Sequence, residues 1–212
     1  MARRRDQRPF NKAYYAANRD QEIDRVRRRQ FATLEFLRDI RKVPCVDCGG
    51  RFKPHQMDFE HRDPSAKLFN LCAGRAMLKS RPVLQAEIDK CDIVCANCHR
   101  VRTRRQHVAR LAIREQLERP PAKRPERRWV WRWHQDLLDQ LRDVPCADCA
   151  GRFAPCAMEF DHRDGSSKVQ AVTRMIGRAS AERILAEVDK CDIVCANCHR
   201  HRTFERRSRH VA

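Results

Sequence analysis

The string KCDIVCANCHR occurs twice in this chain, as Lys90–Arg100 and again as Lys190–Arg200. Each occurrence carries one C-x-x-C, and each has a second C-x-x-C upstream, in VPCVDC and VPCADC. A C-x-x-C places two thiolates on one tight turn, where both reach a single ion at about 2.3 Å, and two such knuckles complete a tetrahedral site. Cys45, Cys48, Cys95 and Cys98 form one set; Cys146, Cys149, Cys195 and Cys198 form the other. The chain must therefore fold around two points at which distant segments meet on an ion.

The repeat is wider than these knuckles. VPCVDCGGRFKPHQMDFEHRDPSAK (Val43–Lys67) matches VPCADCAGRFAPCAMEFDHRDGSSK (Val144–Lys168), and AEIDKCDIVCANCHRVRT (Ala86–Thr103) matches AEVDKCDIVCANCHRHRT (Ala186–Thr203). The chain is a tandem duplication, with copies of roughly 80 residues, the size of a small domain. Hydrophobic residues are 42% and charged residues 35% of the 212. Copies that small and that polar need a staple. Where thiols stay reduced, paired cysteines at short spacing read as metal ligands before disulfides. A redox or iron–sulfur site ranks below zinc. Each four-cysteine site is closed, so its Zn²⁺ is structural. Of the other four cysteines, Cys91 and Cys191 lie in a short strand entering the second knuckle and read as packing residues, whereas Cys72 and Cys156 have no counterpart.

Each copy follows an amphipathic stretch, with Phe31, Leu34, Leu37 and Ile40 at helical spacing before the first and Leu138 and Leu141 before the second. Boundaries follow: a basic helical arm over 1–26, a first zinc domain over 27–108, a basic proline-containing linker over 109–128, a second zinc domain over 129–206 and a tail over 207–212. The segment ERPPAKRPERRWVWRW reads as an extended connector. Its Trp129, Trp131 and Trp133 pack the second domain or, in the alternative, stack on bases. The arm either lies along a phosphate backbone or is a solvated helix.

The charge identifies a class of partner. Lys and Arg number 46 against 28 Asp and Glu, a net +18; eight thiolates with two Zn²⁺ lower this only to about +14. Such an excess favours nucleic acid over an acidic small molecule. No stretch approaches the roughly 20 apolar residues of a spanning helix, and the basic start MARRRDQRPF leads into no apolar segment. The expectation is an intracellular protein that binds DNA, takes no small-molecule substrate and does not require oligomerisation.

Zinc does not account for Glu60-His61 and His99, or for Asp161-His162 and His199. A carboxylate and an imidazole suit Mg²⁺ or a transition metal, and a second histidine can take a proton from water. The pattern C-x-x-C, D/E-H, C-x-x-C-H resembles the zinc-stapled HNH endonucleases common in phages and bacteria. FEHRD and FDHRD followed by KCDIVCANCHR carry the resemblance through both copies. It implies small α+β domains: two tandem ββα-metal, treble-clef-like units, each with a preceding helix. It also implies that His61 and His162 are general bases. Glu60 with His99, and Asp161 with His199, would hold a catalytic Mg²⁺, Mn²⁺ or Ni²⁺. Arg62 and Arg163 would clamp the phosphate, and Arg100, Arg102, Thr103, Arg200, Arg202 and Thr203 would contact the nucleic acid. The expected activity is metal-dependent hydrolysis of DNA phosphodiester bonds by two catalytic modules.

Two departures stand out. Glu60 replaces the family's usual Asp, which makes the second copy the expected stronger site. The family's central Asn has a candidate in Asn70 but none in the second copy; Asn97 and Asn197 read as shaping the knuckle turn. The competing functions are a non-catalytic nucleic-acid-binding zinc protein and an adaptor with decayed nuclease sites.

Overall fold

A computed structural model describes residues 8–71, 74, 76–116 and 125–209. In chain order the elements are α1 (Arg8–Ile40), β1 (Met57–His61), α2 (Arg81–Ile88), β2 (Cys91–Cys95), α3 (Ala96–Gln116), α4 (Pro125–Leu141), β3 (Met158–His162), α5 (Val172–Met175), α6 (Ala181–Val188), β4 (Cys191–Cys195) and α7 (Ala196–Arg209). The fold is α+β, with a similar module twice: a long helix, a strand, a short helix, a second strand and a helix that starts on the knuckle, the second module having α5 in addition. β1 pairs with β2, and β3 with β4, each as a two-stranded sheet. None of the described helices is long and apolar enough to cross a membrane.

The chain divides into two compact units. One contains the residues up to Val43 with His61–Asp92; the other contains Pro44–Glu60 with the residues from Ile93 on. In the smaller unit Leu37, Leu71, Ala76, Met77, Leu84 and Ile88 are buried. Arg81 lies over the Phe36 ring at 3.9 Å, and Arg29 donates to the Leu78 carbonyl at 3.0 Å, so α1 is held to the short helical segment by cations as well as by apolar contact. Of the four residues read as an amphipathic stripe on α1, Leu37 is buried while Phe31 and Leu34 stay exposed. Asn18 kinks α1 (φ −119°, ψ 15°), its side chain donating to the Tyr14 carbonyl four residues back.

The larger unit holds both four-cysteine sets. Around the second, Cys146, Met158, Val194 and Cys195 are buried with Phe153 and Ile193 against them; Cys45, Met57, Val94 and Cys95 repeat this with Phe52 and Ile93. A separate apolar cluster of Leu138, Val172, Met175, Ile176, Ile184, Val188 and Cys191 ties α4, α5 and α6 to β4. Cys191 is a packing residue in it, as expected of a small apolar thiol; Cys72 lies outside the described residues.

Two elements differ from the sequence reading. Part of the expected extended connector is helix, since α4 starts at Pro125 and includes all three tryptophans. Proline at the first helical position loses no intrahelical bond and is pre-set for the helix. The tryptophans are largely exposed; Trp129 stacks on Trp133, and Trp131 packs on Gly177. Second, the copies pack on each other within the larger unit. α3 packs on the turn Pro155–Ala157, α7 on the matching turn Pro54–Gln56, and α3 meets α7. At the centre the Asn97 N–H donates to Asn197 Oδ1 at 3.3 Å, and the Asn197 N–H to Asn97 Oδ1 at 3.0 Å. Each asparagine thus satisfies an orphan N–H at the start of the other copy's helix. They reach across copies, where the sequence reading had each shaping its own turn.

Candidate functional site

The first C-x-x-C of each copy closes a tight turn. Cys45 N–H donates to Gly50 O at 2.9 Å and Gly49 N–H to Cys45 O at 2.8 Å; Cys146 and Ala150 repeat both bonds at 2.9 Å. The turn needs a left-handed residue, Gly49 at φ 69° in the first copy and Ala150 at φ 54° in the second. The second C-x-x-C straddles the junction of β2 with α3, or of β4 with α7. In each set the four sulfurs lie within 4.8 Å of one another; a regular tetrahedron with bonds of about 2.3 Å has edges of roughly 3.8 Å. Among the described residues these two sets alone gather three or more donors so closely.

The electrostatics fit a cation of zinc's kind. Burial pushes the Cys45 and Cys146 thiols up, but backbone N–H groups outweigh it and bring both down to about 7. Among these donors are Cys95 N–H to Cys45 Sγ and Cys195 N–H to Cys146 Sγ, each 3.2 Å. Cys98 and Cys198 are pushed far up by burial and by the sulfurs beside them. Four thiols this close do not ionise together without a cation, and a divalent ion at the centre removes the conflict.

The second acid–histidine site lies wholly in the larger unit. β3 and β4 pair antiparallel with Asp161 opposite Asp192 and His162 opposite Cys191. Glu159 and Asp161, two residues apart, share a strand face, and both reach His199 on α7. Glu159 bonds His199 Nδ1, and Asp161 Oδ1 lies 3.4 Å from Nε2. The two carboxylates, Asp161 first, raise His199 to about 9 against the effect of its burial. His162 leaves the other way. Its Nε2 meets Glu187 Oε1 at 2.8 Å, on α6. Glu187 is fully buried and also takes the Val169 N–H at 2.9 Å and Lys190 Nζ at 2.8 Å. Burial would raise its carboxyl; the donors, Lys190 and His162 foremost, outweigh it and hold it at about 2. Asp161, His162 and His199 all border one cavity of about 740 Å³.

In the first copy the corresponding residues fall in the two units. In the larger one, His99 Nδ1 is 2.6 Å from Asp58 Oδ2 and Nε2 is 2.8 Å from Glu60 Oε2. Gln106 Nε2 donates to Glu60 Oε1 at 3.1 Å, and Arg200 of the second copy donates to Asp58 at 2.7 Å. Burial would raise Asp58; His99 and Arg200 bring it down to about 2. In the smaller unit His61 Nε2 meets the buried Glu87 at 2.8 Å, with Leu68 N–H and Lys90 Nζ on the same carboxylate.

The arginines read as phosphate contacts are already engaged. Arg62 and Arg163 clasp the turn before the second strand, donating to the Cys91 carbonyl at 2.9 Å and the Cys191 carbonyl at 2.7 Å. Arg102 and Arg202 make two-pronged bonds to the knuckle carboxylates Asp47 and Asp148. Arg100 pairs with Glu159 of the other copy, and Thr203 donates to the His199 carbonyl at 2.9 Å. Thr103 is exposed on α3.

Four carboxylates escaped the sequence reading. Asp58 and Glu159 stand two residues before each acid, inside the quoted MDFEH and MEFDH, and Glu87 and Glu187 stand inside AEIDK and AEVDK. Their signal is an acid kept at the same place in both copies. The chain matches no protein-family model, no curated protein and no solved structure.

Proposed function

We propose that the chain is a metal-dependent endonuclease of the HNH kind, hydrolysing DNA phosphodiester bonds on a zinc-stapled tandem scaffold. The observation that carries this reading is the pairing of His162 with buried Glu187 beside the Asp161–His199 pair on one cavity, with the same partners repeated around His61 and His99. Holding zinc does not call for a histidine against a buried glutamate in each copy. Glu60 and His99 are the residues that would hold a divalent ion; Asp161 and His199 occupy the same positions in the second copy. Such an ion supplies charge relief on the phosphate and on the leaving oxygen.

The chain's own groups do the rest. Glu87 and Glu187 hold the Nε2 side of His61 and His162, which leaves Nδ1 to take a proton from water. Asp58 and Glu159 bond Nδ1 of His99 and His199, fixing each ring with Nε2 towards the acid; an outer carboxylate of this sort also makes the imidazole a better ligand. The net charge of +18 draws the polyanion.

The test is supercoiled plasmid with zinc-loaded protein, with and without added Mg²⁺, Mn²⁺ or Ni²⁺. Open-circle or linear product only with added ion, abolished in His61→Ala/His162→Ala, is expected. The alternative, a zinc protein that binds nucleic acid without cutting it, draws on the arginines that hold Asp161. DNA bound but uncut with all three ions would establish it.

A further inference from the structure

The two acid–histidine sites differ at one helix position, eight residues after the last knuckle cysteine: Gln106 in the first copy, Arg206 in the second. Gln106 gives Glu60 one neutral amide hydrogen bond, at 3.1 Å. Arg206 instead takes both oxygens of Asp161, Nη1 to Oδ1 at 2.9 Å and Nη2 to Oδ2 at 2.6 Å. Arg202 adds a third bond, to Oδ2 at 3.0 Å. A carboxylate in a two-pronged guanidinium pair has little left to offer a second cation, and a divalent ion beside two guanidiniums is repelled. The donor set of the second copy therefore does not fit a divalent ion, although it has the shorter carboxylate.

The cavity beside it fits an anion. Arg100, Arg104, Arg142, Arg163, Lys168 and Arg206 border it, against three carboxylates, Asp139, Glu159 and Asp161. Arg100 and Arg104 come from α3 of the first copy, Arg100 pairing with Glu159 and Arg104 lying 3.6 Å from Asp139. The first copy thus completes the second copy's cavity.

We propose that the second copy's cavity is a docking site for the phosphodiester backbone of a nucleic acid, in which Arg206 stands in the place of the divalent ion, and that the first copy alone takes that ion, on Glu60 and His99. The proposal rests on the nuclease reading for the ion's role, but its stoichiometry is measured without catalysis. Zinc-loaded full-length protein is titrated with Mn²⁺ and the bound ion counted by electron paramagnetic resonance. One Mn²⁺ per chain is expected. It is lost in Glu60→Gln and kept in Asp161→Asn, and Arg206→Gln raises the count to two. Two ions in the wild type, no ion at all, or an ion lost in Asp161→Asn and kept in Glu60→Gln overturns the proposal.

The second arm is duplex binding against salt. Arg104→Gln and Lys168→Gln should each lower the slope of log affinity on log salt by about one, with the Mn²⁺ count unchanged. Unchanged slopes in both variants overturn the docking assignment. Plasmid cleavage is scored separately. A chain that binds one Mn²⁺ at Glu60 and shows the expected slopes, yet never cuts, refutes the nuclease reading and leaves the division between the copies standing.

Discussion

Replacing Asn97 or Asn197 by alanine tests whether the two copies form one structure. Both residues are buried, and each accepts the other's backbone N–H at the start of a helix. Asn197→Ala strips the acceptor from Asn97 N–H, and Asn97→Ala does the same to Asn197 N–H. A buried donor left without a partner costs about 1–3 kcal/mol. A cavity of about 370 Å³ borders both asparagines and has room for a water that would satisfy the freed N–H. The cost should therefore fall at the lower end, about 1–2 kcal/mol for each substitution. Asn97 also hydrogen-bonds the Cys195 sulfur and opposes the rise that burial imposes on that thiol, so Asn97→Ala should be the worse of the two. In a chain of this size 1 kcal/mol shifts Tm by about 2–4 °C, so each variant should melt roughly 2–8 °C early. The two residues bond each other and border one cavity, so the double variant should melt below either single variant but depart from their sum. The assay is differential scanning calorimetry of zinc-saturated protein. A double variant within about 1 °C of wild type, or copies melting as two transitions in the wild type, would refute the reasoning.

The zinc sites give a companion result: Cys195→Ser should release one Zn²⁺ per chain and also lower the melting of the first copy, read by metal analysis and calorimetry, because α7 packs on the first copy's turn Pro54–Gln56. Ala150 holds φ 54° where the first copy has Gly49, and a left-handed alanine costs roughly 1–2 kcal/mol; Ala150→Gly should raise Tm by a few degrees, less the entropy that glycine adds to the unfolded chain. Glu187, held at about 2 in the folded chain against an ordinary 4.5, contributes stability that is complete above the higher value and lost as pH falls towards the lower one. Glu187→Gln should therefore melt early at neutral pH, with the gap to wild type closing only below about pH 4.5; a gap that instead closes as pH rises would contradict the assignment.

The metal staples were legible because a C-x-x-C is local: two residues between the sulfurs decide the geometry, whatever the rest of the chain does. The acid–histidine pairs were legible as candidates for the same reason. Their partners were not. Glu187 reaches His162 from 25 residues away, through a short helix whose packing no local pattern announces. Asn97 looked like a turn residue because its true partner is 100 positions distant and faces it only once the copies are packed. Pro125 misled through composition: the prolines of the linker suggested an extended chain, while the last of them starts α4. The resemblance named Arg100, Arg102 and Arg202 as nucleic-acid contacts. It could not see that carboxylates within the fold already hold them.

The reciprocal asparagine bonds have the form of a two-fold interface, in which patch i meets patch j and j meets i. For a single module that self-associates, such a pair exists only above the concentration its affinity sets, and every substitution appears on both sides of the axis at once. Joined on one chain, the halves meet at an effective concentration on the order of millimolar, and each position mutates alone. An arginine that would meet the acid of both sites in a homodimer meets one here: Arg206 holds Asp161, while Gln106 bonds Glu60. Duplication followed by fusion thus lets the halves of a symmetric pair diverge, and the exchange at 106 and 206 is the kind of change that symmetry would have forbidden.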